Sequence, residues 1–399
     1  MRRFDPARSS ASPVLLATVC AVAACALAAC VAKRPIVPPA ELTAQGVERR
    51  AALREELTQK AAPLLMRAAF GASADKTIDV LVLSGGGDYG AFGAAVLRSW
   101  KTIEGPDAMP EFDVVTGVST GALIAPFAFL GTQADLEACE RLYRNPKPDW
   151  VRTRGILALL PDNASLAEVP GLERELRSAV DHEFAERMST EGAKGRLLIV
   201  NATDLDQGRA QAFELASEAQ RAVENHDVER LHRIMLASAG IPGVFPPREI
   251  DGTLYADGGV TSNILYGAPV RYEDSLAYRF RQAFPNAGPL KVRYWVIFNN
   301  QAVSPARTVQ GTWLDVLGRS VEVAIRSSTM TGLRHLYSHA EAVTRRGDGS
   351  IEVRWIAIPD EWRPKVEGVF KRETMSDLAD IGARLGADPA NWKTTAPEL

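Results

Sequence analysis

The residues with the clearest chemistry in this chain are Gly117-Val118-Ser119-Thr120-Gly121. An apolar run over 112–116 precedes them and a second over 122–126 follows, which reads as a strand, a sharp turn and a helix. Glycine on both sides lets the backbone bend tightly and lifts one hydroxyl clear of the sheet. The helix that follows aims its free N–H groups at negative charge formed there. Ser119 is therefore the candidate nucleophile.

A serine hydroxyl attacks poorly at neutral pH unless a base lies within hydrogen-bond reach. Histidine is the usual base, yet His182, His226, His232, His335 and His339 all fall outside glycine-rich loops at expected strand ends. His335 and His339 stand four apart on a helical stretch, a spacing that suits a metal. No metalloprotease motif accompanies them, so a surface or packed pair is the better reading and no metal or cofactor is expected. A triad in the order Ser119, Asp257, His335 or His339 stays open. Asp257-Gly258-Gly259 offers a carboxylate at the end of a short strand over 253–256, although the same letters also describe a hairpin turn.

A third motif, Gly85-Gly86-Gly87-Asp88-Tyr89-Gly90, lies between an apolar strand over 78–83 and a helix over 94–100. Consecutive glycines leave backbone N–H groups uncovered, a nest for an anion. One occupant is a dinucleotide phosphate, with Glu104 or Asp113 on a ribose. The other is the oxyanion of a tetrahedral intermediate formed by Ser119. Only the second explains why the next strand also ends in a glycine-flanked serine, since parallel neighbours release their loops on one sheet edge.

The elements that must position these loops follow from periodicity. Nearly continuous apolar runs at 78–83, 112–116 and 196–203 fit strands covered on both faces. Residues 291–298 and 351–358 read as further strands, and 211–215 as a partner beside 196–203. Helices are expected over 41–70, 135–142, 227–239, 313–337 and 373–385, with punctuated helix and loop over 131–195. Their alternation predicts an α/β fold, a three-layer α/β/α sandwich with a largely parallel sheet.

Composition is that of an ordinary globular chain: 399 residues, 46% hydrophobic, 24% charged, net charge −3. Without a long run of like charge, no nucleic-acid partner is expected. Arg2, Arg3 and Arg8 precede an apolar run over 13–29 that ends at Leu27-Ala28-Ala29-Cys30, a secretory signal with a small-residue cleavage site. That ending resembles the bacterial lipobox, which implies that Cys30 is acylated; Val22-Ala23-Ala24-Cys25 also satisfies the pattern. By the sorting rule for the residue after the cysteine, Val31 favours the outer membrane over the inner. Cys139 is the one cysteine of the mature body and is expected to be packed. Residues 1–29 are thus assigned to the signal, 30–75 to a tether and accessory helix, and 76–399 to one domain. An apolar run over 155–160, including Leu159 and Leu160, reads as a core helix end or an interfacial contact.

The three loops, in order and with the segment Ala237-Ser238-Ala239-Gly240-Ile241-Pro242-Gly243-Val244-Phe245 before the aspartate, resemble the patatin-like phospholipase family over residues 78–263. A weaker echo covers 370–386. The resemblance implies a Ser-Asp dyad of Ser119 and Asp257 working without histidine, an oxyanion hole on the amides of Gly85, Gly86 and Gly87, and support from Gly90, Gly117, Gly121, Gly258 and Gly259. It implies a lipid acyl hydrolase acting on phospholipid, lysophospholipid or a related ester. Where that family commonly has Arg or Lys before the last glycine of the first loop, this chain has Tyr89.

Overall fold

The computed structural model describes residues 34–71, 77–155, 163–267 and 271–397. The expected signal, Cys25, Cys30 and residues 156–160 of the apolar run, with Leu159 and Leu160, lie outside the described residues.

A long helix, α1 (Pro39–Phe70), comes first. The core then begins with β1 (Thr77–Leu83), α2 (Gly90–Trp100), β2 (Val114–Val118), α3 (Thr120–Leu130) and α4 (Gln133–Arg144). A small antiparallel pair, β3 (Arg152–Thr153) and β4 (Ala167–Glu168), leads to α5 (Pro170–Ala179) and α6 (His182–Ala193). Next come β5 (Leu197–Asp204), β6 (Arg209–Glu214), α7 (Leu215–Asn225), α8 (Glu229–Ser238), β7 (Arg248–Ile250) and β8 (Thr253–Asp257). The chain closes with α9 (Leu276–Ala283), β9 (Leu290–Gln301), α10 (Trp313–Arg346), β10 (Gly349–Ile358) and α11 (Arg372–Gly386).

Among the described residues one eight-stranded sheet runs β10-β9-β1-β2-β5-β8-β7, with β6 also on β5. The five strands from β10 to β5 are parallel, while β6, β7 and β8 join antiparallel. The expected sandwich is therefore present, with its parallel part where the glycine loops leave. Strand β1 displays the two-faced burial: Leu81 and Leu83 enter one apolar cluster, while Ile78, Val80 and Val82 enter another. The first cluster takes residues from α2, α3, α4, α6, α7, α8 and α11; the second takes them from the end of α1, α9 and α10.

Two elements differ in extent from their sequence patterns. Strand β2 runs on to Val118 rather than stopping at Thr116, because Gly117 is tolerated inside it: a Cβ there would lie 2.4 Å from the Gly121 carbonyl oxygen. Helix α10 continues to Arg346, where Gly347 at φ 71° ends it in the left-handed conformation glycine adopts freely. Its 34 residues span about 50 Å, and its buried stripe begins only at Arg326, continuing through Thr329, Leu333, Leu336, Ala340 and Val343.

Helix α1 packs outside the sandwich, as its composition predicts, and is pinned by charge. Arg49 meets Asp204 at 2.8 Å and Lys60 meets the buried Glu214 at 2.7 Å, while Leu64, Ala68 and Ala69 cover one end of the second cluster.

Candidate active site

The register of β5 brings Asp257 to Ser119. Strand β5 pairs with β2 over Leu197 to Asn201, with β6 over Ile199 to Asp204, and with β8 over Ala202 to Asp204. A strand has two edges, and β6 overlaps both other partners, so β2 and β8 must share the opposite edge. There Val118 stands across from Asn201, and Asp257 stands across from Ala202, the next residue. The carboxylate thus arrives where β2 gives way to Ser119. Asp257-Gly258-Gly259 is the end of a strand passing into a 3-10 turn, not a hairpin.

Ser119 sits between β2 and α3 at φ 54°, ψ −124°, a conformation that costs a side-chain-bearing residue about 1–3 kcal/mol. It is the N-cap of α3 yet its hydroxyl makes no capping bond, which leaves that oxygen for chemistry. Its amide donates to Ser238 Oγ at 3.0 Å, and Ser238 in turn donates to the Asn201 carbonyl at 2.6 Å. Close packing enforces glycine around the turn: a Cβ on Gly121 would lie 2.3 Å from the Leu83 carbonyl oxygen, and one on Gly258 2.2 Å from that of Asn201.

Asp257 is buried, and its Oδ1 accepts from the Gly259 amide at 2.7 Å. Its Oδ2 is buried without a hydrogen-bond partner of full geometry. Burial pushes the carboxyl up to about 6, against the lowering influence of the neighbouring Ser119 hydroxyl and the Gly259 amide. A carboxylate raised this far still ionises at neutral pH and is a stronger base than an exposed one. The strand is held on both sides, by the Asp257 amide on the Gly240 carbonyl at 2.9 Å and by Thr203 Oγ1 on the Asp257 carbonyl at 2.9 Å.

The glycine loop supplies donors, with one correction to its membership. The Gly85 amide is spent on the Asn263 carbonyl at 3.3 Å, so it is not free for an oxyanion. The amides of Gly86 and Gly87 have no partner among the described residues, and Gly87 at φ 61° adopts the left-handed turn that exposes them. Asn299 fixes the loop: its backbone N–H donates to Ser84 Oγ at 2.9 Å, its Nδ2 donates to the Ser84 carbonyl at 2.8 Å, and its Oδ1 accepts from the Gly93 amide at 3.1 Å. Gly90 is required because a Cβ would lie 2.2 Å from Thr120 Oγ1. Asp88 Oδ2 accepts from the Phe370 amide at 2.9 Å, and burial pushes its carboxyl up to about 6. Tyr89 packs edge-on against Trp362, ring centroids 5.2 Å apart, and burial holds its hydroxyl protonated, up to about 12.

Ser119 and Gly87 open onto an apolar pocket with about 710 Å³ of space between protein atoms, part of it open to solvent. Leu123, Phe127, Leu142, Trp150, Leu176 and Phe370 are among its walls. Cys139, buried and free, also lines it, and burial pushes its thiol well up.

The rival arrangements do not assemble. None of the five histidines hydrogen-bonds Ser119 or Asp257: His232 Nε2 meets the Val180 carbonyl at 2.6 Å, and His335 Nδ1 meets Tyr266 at 2.8 Å. Asp113 lies at the start of β2, the opposite sheet edge from the glycine loop, where its Oδ2 accepts from the Asp79 amide at 2.8 Å. Among the described residues no three His, Cys, Asp or Glu side chains gather as a metal site, and no helix is long and apolar enough to cross a membrane. Sequence reasoning did not assign roles to Ser238, Asn263 and Asn299: Ser238 is a lone polar residue among apolar ones, while Asn263 follows Thr261 and Ser262 and Asn299 precedes Asn300 and Gln301, so no pattern in the residues singles them out.

Residues 81–270, which hold all three loops, match the family model described as patatin-like phospholipase. Over 205 residues the chain is 27% identical to a cGAMP-activated phospholipase of Pseudomonas aeruginosa, an alignment covering 47% of this chain and 54% of that protein. The chain thus spans about half the length of this curated relative. Among solved structures, VipD from Legionella pneumophila aligns with 79% of this chain and 70% of its own at 11% identity and a TM-score of 0.36.

Proposed function

We propose, from the premise that this chain belongs to the patatin-like phospholipase family, that it is a serine acyl hydrolase cleaving fatty acyl esters of lipids with Ser119 and Asp257. The observation that carries the reading is the meeting of three features at one sheet edge. They are a strained serine whose hydroxyl is not spent on capping its helix and neighbours the Asp257 carboxyl, that buried carboxyl, and the amides of Gly86 and Gly87, which have no partner among the described residues.

Ser119 Oγ attacks the ester carbonyl as its proton passes to Asp257. The carbonyl oxygen becomes negative and accepts hydrogen bonds from the Gly86 and Gly87 amides, which are in place before the reaction starts. Collapse of this intermediate breaks the ester C–O bond, and Asp257 returns the proton to the leaving alcohol. A water then adds to the acyl-serine, losing its proton to Asp257, and the fatty acid departs as Ser119 regains its hydrogen. The apolar pocket beside Ser119 suits the acyl chain.

The test is direct. Ser119→Ala and Asp257→Asn each abolish turnover of nitrophenyl butyrate in folded protein, and a fluorophosphonate probe labels the wild type at Ser119; a fully active Asp257→Asn overturns the dyad. The basic, apolar N-terminus ending at Cys30 supports delivery to the bacterial envelope and acylation of that cysteine, with the outer membrane as destination. Cys30→Ser then moves the protein out of the membrane fraction.

A further inference from the structure

The first turns of α10 wear their apolar residues outward. Trp313, Val316, Leu317, Ser320, Val321 and Ala324 recur at the spacing of one helical face, and all six are exposed, Trp313 at 65% and Leu317 at 53%. The charged residues stand on the opposite face and are spent close by. Asp315 meets Arg307 of the preceding loop at 2.9 Å, and Arg319 meets Glu322 at 2.9 Å and donates to the Pro305 carbonyl at 2.9 Å. Arg307, Asp315, Arg319 and Glu322 are all the charges between 302 and 325. A helix of a globular protein turns its apolar stripe to the core, whereas this stripe faces away from it.

The topology places this stripe beside the candidate active site. Strands β10, β9, β1, β2 and β5 are parallel neighbours in that order, so the segments that follow them leave from one sheet edge. The glycine loop follows β1 and Ser119 follows β2. The 313–325 stretch follows β9, and its about 20 Å precede Arg326, whose Nη2 donates to Asn300 Oδ1 near the end of that strand at 2.6 Å. After β10 come Val366 and Val369, both exposed, and then Phe370, a wall of the pocket beside Ser119. On the other flank, Arg34 is clamped just past the end of β5: it donates to the Asp206 carboxylate at 2.9 and 2.8 Å and to the Gly252 carbonyl at 2.6 Å. Cys30 is four residues before Arg34, a reach of at most about 14 Å. The mouth of the pocket therefore lies between an apolar rim and the point where the N-terminal segment departs.

We propose that the outward face of α10 over 313–324 docks this sheet edge onto a lipid bilayer, with Trp313, Val316, Leu317 and Val321 entering the interface. Two observations select a bilayer over a second copy of the chain. The basic and apolar segment that ends at Cys30 departs from the same edge, so a chain held by it already has this edge turned to lipid. The apolar rim also runs on to Val369 and the pocket wall, so an acyl chain passes from lipid to the pocket without crossing water. Because the four charges of the segment cancel within it, docking needs no anionic lipid. The assignment rests on the acyl hydrolase reading for its purpose, and its readout does not depend on catalysis.

The test uses the full chain and phosphatidylcholine vesicles whose acyl chains carry bromine, a short-range quencher of tryptophan. Emission falls relative to plain vesicles, and Trp313→Phe removes most of that fall; quenching that survives Trp313→Phe undiminished overturns the proposal. In Cys30→Ser, which lacks the proposed acyl group, Leu317→Asp with Val321→Asp lowers partitioning onto the vesicles at least about tenfold, while kcat/KM for nitrophenyl butyrate stays within about twofold. Unchanged partitioning overturns the proposal. Replacing about a third of the lipid by phosphatidylglycerol, or adding about 0.5 M NaCl, leaves the quenching in place; quenching that appears only with phosphatidylglycerol overturns the apolar docking. A dimer in sedimentation velocity without lipid, broken by Leu317→Asp and accompanied by no quenching, gives the face to a second copy and overturns it as well. Ser119→Ala docks as the wild type does. A chain that docks in this way and cleaves no ester overturns the hydrolase reading and leaves the docking face standing.

Discussion

The Ser238 hydroxyl accepts from the Ser119 amide at 3.0 Å and donates its own hydrogen bond to the Asn201 carbonyl at 2.6 Å. The strained backbone of Ser119 is thus tied to the end of α8 and to β5 by one side chain. Ser238→Ala leaves the buried Ser119 amide unpaired, a loss of about 1–3 kcal/mol in stability. A turn released in this way also misplaces the hydroxyl, so kcat falls about tenfold or more. Urea unfolding and nitrophenyl butyrate kinetics on the same preparation check both; unaltered kcat in the destabilised variant removes the positioning role.

In the proposed mechanism Asp257 must be ionised to accept the serine proton, and burial pushes it up to about 6. The kcat/KM profile therefore rises with pH through about 6 and levels above it. Asp88 is raised to about 6 as well, but it serves Phe370 rather than Ser119. Asp88→Asn retains the rising limb near 6; loss of that limb in this variant assigns it to the wrong carboxylate.

The same carboxyl links stability to pH. Its pKa moves from 3.8 to about 6 on folding, so the folded chain holds the proton more tightly than the unfolded one. That contribution to stability is full below 3.8 and is lost as pH rises through about 6. Asp257→Asn escapes the loss: at pH 8 it is more stable than the wild type by at most about 3 kcal/mol. Denaturant melts across pH show the gain shrinking as pH falls from 6 towards 4. A gain that persists undiminished at pH 4 contradicts the burial argument.

The pocket beside Ser119 has room for a chain, and Leu123 stands on its wall. Leu123→Trp fills part of that space and lowers kcat/KM for a dodecanoyl ester at least about tenfold relative to the butyryl ester. Nitrophenyl esters of graded length measure the change; an unaltered length profile shows that the chain lies elsewhere.

Much of this arrangement was legible in the residues themselves. Glycine motifs announce themselves because a backbone bend or a close approach demands the residue, as with Gly121 against Leu83 and Gly258 against Asn201. Parallel strands such as β1 and β5 read as apolar runs because both of their faces are covered. What did not read was pairing between distant segments. The seating of β8 on the stretch of β5 beyond β2 depends on register, which periodicity does not encode. The spent amide of Gly85 is likewise invisible until Asn263 is in position. Single buried polar residues such as Ser238 and Asn299 carry no pattern at all; their partners alone reveal them.

The shared edge of β5 also orders events during synthesis. A nascent chain that has emerged only through α3 already carries Ser119 and the glycine loop, but Asp257 and the Asn263 and Asn299 braces are still to come. The proposed active site becomes whole only when late strands dock on early ones, a long-range closure that is slow relative to local helix formation. A ribosome-bound or truncated chain therefore has Ser119 and the glycine loop without Asp257, and under the proposed mechanism lipid meets a competent site only after the sheet is complete.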